Sequence, residues 1–167
     1  MWSIIKFDKK RLNFLMSDFS KKFGEEYKIY IPKLMFQKYV NNKIVKREIN
    51  LLGDYMFCFH NSFENPKIIK TLNNLRGLKY FLTNSNSKNS QKEIIDFINK
   101  CKKFEDKNGF LSHKFYDLKL NKSYKFFSGP FANTIFKIIE LQKNRINILI
   151  GNLKTTVKRK DFLFQPV

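Results

Sequence analysis

The chain has 167 residues and a formal net charge of +19, with 33 lysines and arginines against 14 acidic residues. A hydrophobic fraction of 43%, including 19 phenylalanines, is ample to fill a core and excludes a globally disordered chain. The charge points to a polyanionic partner such as nucleic acid, although a genome poor in G and C would give the same lysine- and asparagine-rich profile. Only Arg11, Arg47, Arg76, Arg145 and Arg159 carry guanidinium forks, and that scarcity argues against sequence-specific base readout.

The predicted elements begin with a strand at 2–7, WSIIKF. Leu12, Leu15, Met16, Phe19 and Phe23 then recur at helical spacing, with Gly24 as the stop. Strand character resumes in YKIYIPKLMF, with Pro32 marking an edge or a break. KYVNNKIVKREI is a hairpin whose Asn41-Asn42 suits the left-handed turn positions, and DYMFCFH is an aromatic strand. The next helix has Asn65 as N-cap, Pro66 at its first position, Gly77 past its end, and Ile68, Ile69, Leu72 and Leu75 as its buried stripe. After a short strand, LKYFLT, a third helix opens at Ser90 and Glu93 in capping-box spacing, with Ile94, Phe97, Ile98 and Cys101 facing inward.

The pattern changes near residue 103. KKFEDKNGFLSHKFYD has no sustained period and reads as a linker. Beyond Leu118 the segments are short, β-branched and broken by turns at Gly129-Pro130, Lys143-Asn144 and Gly151-Asn152, as in a small all-β barrel. The predicted organisation is therefore an α+β domain at 1–103, a linker at 104–117 and a five-stranded barrel at 118–167. Apolar residues between 135 and 153 also recur at near-helical spacing, but the turns and β-branching favour strands.

Cys58 and Cys101 lie far apart, and neither joins His60 or His113 in a metal-ligand spacing. Cys58 and His60 read as a buried thiol beside a surface imidazole. No paired carboxylates, Ser/His/Asp order, phosphate loop or metal cluster is present in motif spacing, so no catalytic residue, no metal and no cofactor is expected, and the chain is not expected to be an enzyme. MWSIIKFDKK lacks a secretory pattern and no apolar run approaches a membrane span, so the expected setting is cytoplasmic, without a membrane partner.

The order of these pieces resembles the NusG family of transcription elongation factors, which joins an N-terminal NGN domain to a C-terminal KOW domain. The family's KOW motif, V-x-I-x-x-G-P-F-A-(G/D), is similar to Tyr124, Phe126, Gly129, Pro130, Phe131, Ala132 and Asn133. MWSII resembles the family's Trp-led first strand, YIPK its Pro-ended strand, LLGDYMFCF its Pro-Gly-Tyr strand and LRGLKYFL its Arg-Gly segment. ILIGNLKTTVKRKDF is similar to the family's closing strands. Leu52 stands where the family has proline, Asp54 is inserted before Tyr55, and Phe136 occupies an expected glycine. These departures are more typical of a specialised, RfaH-like paralogue than of a general factor.

The resemblance implies transcription elongation or antitermination. The first domain would dock on the clamp helices of bacterial RNA polymerase, and Tyr55, Phe57 and Phe81 would form the docking pocket. Ordinary core is the alternative reading of that aromatic face. Arg76, with Lys9, Lys10 and Arg11, would touch the non-template DNA strand; a solvated basic turn is the plainer alternative. Gly129 and Pro130 would turn the chain between barrel strands and drop Phe131, beside Ala132, into the core. The barrel would recruit a ribosomal protein, a termination factor or nascent RNA, with Lys154, Lys158, Arg159 and Lys160 as a basic rim. The protein would act as a monomer. A ribosome-associated or general RNA-binding KOW protein is the competing reading.

Overall fold

The computed structural model describes residues 1–40, 43–82, 88–112, 115–127, 131–162 and 164–167; for 36–40, 43, 44 and 160 only the backbone is described. In chain order the elements are β1 (Trp2–Phe7), a 3-10 turn (Lys9–Arg11), α1 (Leu12–Phe23), β2 (Lys28–Tyr30), β3 (Lys33–Val40), β4 (Lys43–Asn50) and β5 (Tyr55–Phe59). They continue with α2 (Pro66–Leu72), β6 (Leu78–Phe81), α3 (Lys88–Lys103), β7 (Ser123–Phe126), β8 (Ile135–Leu141), β9 (Arg145–Ile150), β10 (Leu153–Lys158) and β11 (Phe164–Pro166). The architecture is α+β. The chain divides into two compact units, Met1–Pro32 with Asn50–Lys103, and Lys33–Ile49 with Phe104–Val167.

The first unit is built on a four-stranded antiparallel sheet in the order β2-β5-β1-β6. Side chains alternate across a strand, and β1 follows that rule, burying Ser3, Ile5 and Phe7 on one face. On this face Ile5, Phe7, Met56, Cys58 and Phe81 pack against Leu15 and Phe19 of α1 and Leu72 of α2. On the other, Phe57 packs with Ile94 and Ile98 of α3, joined by Trp2, Ile4 and Tyr30. Gln91 of α3 ties helix to sheet. It accepts from the Trp2 backbone N–H at 3.0 Å and donates to the Trp2 carbonyl at 2.7 Å.

Both helix stops and the N-cap of α2 have local causes. Gly24 takes φ +63° and its N–H returns to the Ser20 carbonyl, closing α1. The Asn65 carboxamide oxygen accepts from the Lys67 N–H at 2.9 Å, with Pro66 opening the helix. The expected run of α2 toward Gly77 is shortened to Leu72: Asn73 ends it with an N–H to the Lys70 carbonyl, and Leu75 and Leu78 continue in single turns. The capping box expected at Ser90 and Glu93 is also corrected, because α3 is already helical at Lys88 and both residues lie inside it. His60 is buried rather than at the surface. Its ring lies 4.2 Å from that of Phe23 and its Nδ1 accepts from the Ser62 N–H.

In the second unit, β7 to β11 form one sheet in the order β10-β9-β8-β7-β11. Every one of these strands sends residues to a single core, including Phe126, Phe136, Ile138, Ile148, Val157 and Phe164. β10 and β11 are the two edges of this order, and Leu118, outside the strands, joins the same core. The turn at Gly129-Pro130 lies outside the described residues. After it, Asn133 takes φ +71° and bonds the Phe126 carbonyl, while the Thr134 N–H reaches the Phe131 carbonyl. Asparagine tolerates the left-handed region that most side chains avoid, which suits Asn133 to this turn.

Phe131 does not drop into the core. It is 42% exposed, with its ring 5.5 Å from Phe126, whereas Phe136 is 1% exposed and central. Phe136 is thus the ring that fills the core. Residues 104–117, expected as a linker, hold a turn in which Asp106 Oδ1 accepts from the N–H groups of Asn108 and Phe110, and Leu111 and Phe115 are buried. β3 and β4 form a separate two-stranded ribbon. Its turn at Asn41-Asn42 lies outside the described residues. Lys33 bridges to Phe110, and its carbonyl accepts from the Leu111 N–H.

Candidate functional site

The three aromatic residues expected to share a pocket are divided by the sheet. Tyr55 and Phe57 project to the face that α3 covers, and Phe81 belongs to the opposite core with Phe63, their rings 5.5 Å apart. Phe57 is itself sealed, 4% exposed, beneath Ile94 and Ile98. Among these three, Tyr55 alone reaches the surface.

What the fold places beside Tyr55 is a row across three strands. Lys6 of β1 lies opposite Tyr55 of β5 on one side and opposite Tyr80 of β6 on the other. The two tyrosine hydroxyls are 3.1 Å apart and hydrogen-bonded. The Lys6 ammonium sits 5.3 Å from one ring centroid and 5.5 Å from the other, within cation–π range. The shared hydrogen bond pushes Tyr55 above and Tyr80 below the ordinary tyrosine pKa, and Lys6 is raised, chiefly by Tyr55. Asp54 at the same end is held by Lys9 at 3.1 Å and Lys79 at 3.9 Å, and hydrogen bonding from Lys9 keeps its carboxyl below the usual range. This end of the sheet therefore shows two phenols, three lysines and one acid. Lys6 and Tyr80 were not foreseen as site residues. The parity of Leu78–Phe81 separates Tyr80 from Phe81, but choosing between them needs the register with β1.

The expected nucleic-acid residues sit around Gly77. Asp8 caps the 3-10 turn of Lys9, Lys10 and Arg11 through the Lys10 N–H. The Gly77 carbonyl accepts from the Asp8 N–H at 2.8 Å. Gly77 has φ +84°, and a Cβ there would stand 2.6 Å from the Arg11 carbonyl oxygen. The Arg76-Gly77 pair thus brings Arg11 and Arg76 together through backbone contact that glycine alone permits. The Arg76 guanidinium, however, grips Asp18 through Nε and Nη2 and lies 5.1 Å from the Phe14 ring. That grip holds the Asp18 carboxyl down at about 2. Lys9 is likewise paired with Asp54, so Lys10 and Arg11 are the members of this set with no ion pair among the described residues.

Of the residues expected to form a KOW motif, Gly129 and Pro130 lie outside the described residues, Phe131 is exposed and Ala132 is half-buried. The Lys160 side chain is also outside them; Lys154 and Lys158 are exposed on β10. Burial pushes the Cys58 thiol up to about 12, which leaves it without thiolate character. Among the described residues no group of three or more His, Cys, Asp or Glu could hold a metal, and no helix is long and apolar enough to cross a membrane.

No protein-family model matches the chain, and no curated protein matches it in sequence. Among solved structures it is similar to the MjSpt4:Spt5 complex in conformation B, at 10% identity over 100% of this chain and 98% of that one, with a TM-score of 0.34. It is also similar to NusG of Thermotoga maritima, in a structure described by its domain interaction, at 13% identity over 99% and 96%, with a TM-score of 0.35. At this level of superposition neither structure assigns a residue or a surface to this chain.

Proposed function

We propose that the protein is a NusG-like transcription elongation or antitermination factor, of the specialised RfaH-like kind, that binds bacterial RNA polymerase through its first unit. The observation that carries this reading is the Tyr55–Lys6–Tyr80 row. It presents two amphipathic rings at low entropy cost with a lysine between them, Tyr80 being exposed and Tyr55 half-buried, and its Tyr55 resembles the family's docking strand. Phe57 supports that surface from beneath, and Phe81 supports it from the opposite core. The docking set thus becomes Tyr55 and Tyr80, with Lys6 between them.

In this reading Lys10 and Arg11 reach the non-template DNA strand, with Lys9 and Arg76 available once their carboxylate partners are exchanged for phosphates. The C-terminal sheet recruits a ribosomal protein, a termination factor or nascent RNA. No chemistry is required of the chain, which acts as a monomeric, cytoplasmic adaptor. The test is a purified transcription reaction with bacterial polymerase stalled at a pause site. The full chain should alter the duration of the pause or the fraction terminated, and Tyr55→Ala should blunt that effect. Unchanged pausing and termination at saturating protein would reject the reading, and salt-sensitive binding of RNA alone would replace it with a general RNA-binding role.

A further inference from the structure

The ribbon formed by β3 and β4 belongs, from Lys33 to Ile49, to the second unit. We infer that this ribbon is a duplex-DNA-binding arm that grips the phosphate backbone without reading sequence.

Its charge is one-sided. Residues 33–49 hold Lys33, Lys38, Lys43, Lys46 and Arg47 against a single acid, Glu48. That acid is spent within the ribbon, on the Lys33 ammonium at 3.2 Å. Lys46 and Arg47 have no acidic partner among the described residues, and Val45 to Glu48 are exposed without a break. Neighbouring residues on a strand point to opposite faces, so an unbroken exposed run means that both faces of β4 are open there. The chain therefore carries free cations on both sides of one strand.

Shape agrees with charge. Eight residues per strand at about 3.3 Å each make a ribbon of roughly 26 Å. A two-stranded ribbon fits the major groove of B-form DNA, about 12 Å wide, whereas the deep, narrow major groove of A-form RNA excludes it. Cations on both faces suit a ribbon lying between two phosphate strands. A lone hairpin also has little independent stability, and its root here is held by the Lys33 bridge to Phe110 and by the Leu111 N–H to the Lys33 carbonyl. With a single arginine in the ribbon, bidentate base reading has almost no material. The contacts are phosphate contacts.

The experiment measures binding of the full chain to a random-sequence DNA duplex across a salt series. Each phosphate contact adds about 0.9 to the slope of log K against log salt. Lys46→Gln and Arg47→Gln should each lower the slope by about 0.9, and the pair by about 1.8, at unchanged thermal stability. Lys46→Arg with Arg47→Lys should restore it. A charge-matched control on α3, Lys92→Gln with Lys103→Gln, should leave the slope as it was. An unchanged slope in the ribbon variants would overturn the proposal. So would an equal fall in the control, which would make the effect one of net charge, or tighter binding of an RNA duplex than of DNA. None of these results depends on polymerase binding.

Discussion

At the residue scale, Gly77 and Asp18 fix the geometry around the basic turn. Gly77 combines a left-handed φ with an Arg11 oxygen 2.6 Å from any Cβ, so strain and collision add. Gly77→Ala should lower stability by roughly 2–3 kcal/mol, read as a shift in the urea midpoint. A loss below the smallest backbone effect would mean that the two turns do not meet there. Asp18 offers a pH test. Its folded pKa is about 2, below the ordinary 3.8, because Arg76 bonds the carboxylate. A depressed acid stabilises the fold above its unfolded pKa and loses that contribution as pH falls through the folded one. Wild type should therefore exceed Asp18→Asn in melting temperature at neutral pH. The gap should close between about pH 4 and pH 2, and because the Arg76 side chain is half-exposed it should narrow with salt as well. A gap that persists at pH 1.5 would point to packing rather than charge.

At the element scale, alternation and burial separate support from contact along β5. Phe57 is sealed beneath α3, and Phe57→Ala should cost about 3–5 kcal/mol. Tyr55→Ala, two residues earlier on the same face but beyond the helix, should cost about 1 kcal/mol or less. Comparable losses in chemical denaturation would place Tyr55 in the core and remove it from any docking surface. The order of strands and helices was legible in the sequence because its signals are local: Gly24, Asn65-Pro66 and the period-two runs each act within a few residues. The faces were less legible. Whether Tyr80 or Phe81 joins Tyr55 depends on β6 pairing with β1, which lies more than seventy residues away. His60 is covered by Phe23, which belongs to α1 and lies outside any local pattern around His60. Ser90 and Glu93 have capping-box spacing inside an amphipathic helix, where spacing alone cannot mark an end. In the C-terminal sheet Phe131 and Phe136 are chemically identical; only the strand pairing of Tyr124 with Phe136 shows which one faces the core.

At the scale of the whole molecule, a charge of +19 is distributed over both units, so nonspecific attraction to polyanions is expected everywhere. Function has to be sought where charge meets organised apolar surface. The Tyr55–Lys6–Tyr80 row meets that condition, with Lys9, Asp54 and Lys79 at its border. Among the described residues no group of three or more metal-competent side chains occurs, and Cys58 is held as a thiol. The β ribbon and the sheet row make separable demands, one on phosphate and the other on a protein surface. Salt should therefore weaken DNA binding steeply and polymerase binding much less.

The most direct measurement is the affinity of the full chain for purified bacterial RNA polymerase at moderate salt, beside Tyr55→Ala, Tyr80→Ala and their double variant. Buried aromatic anchors contribute about 2 kcal/mol or more each, so each single change should weaken binding by roughly 30-fold with the fold intact. Binding by the wild type that none of these variants disturbs would contradict the docking surface, and absence of binding would contradict the elongation-factor reading itself.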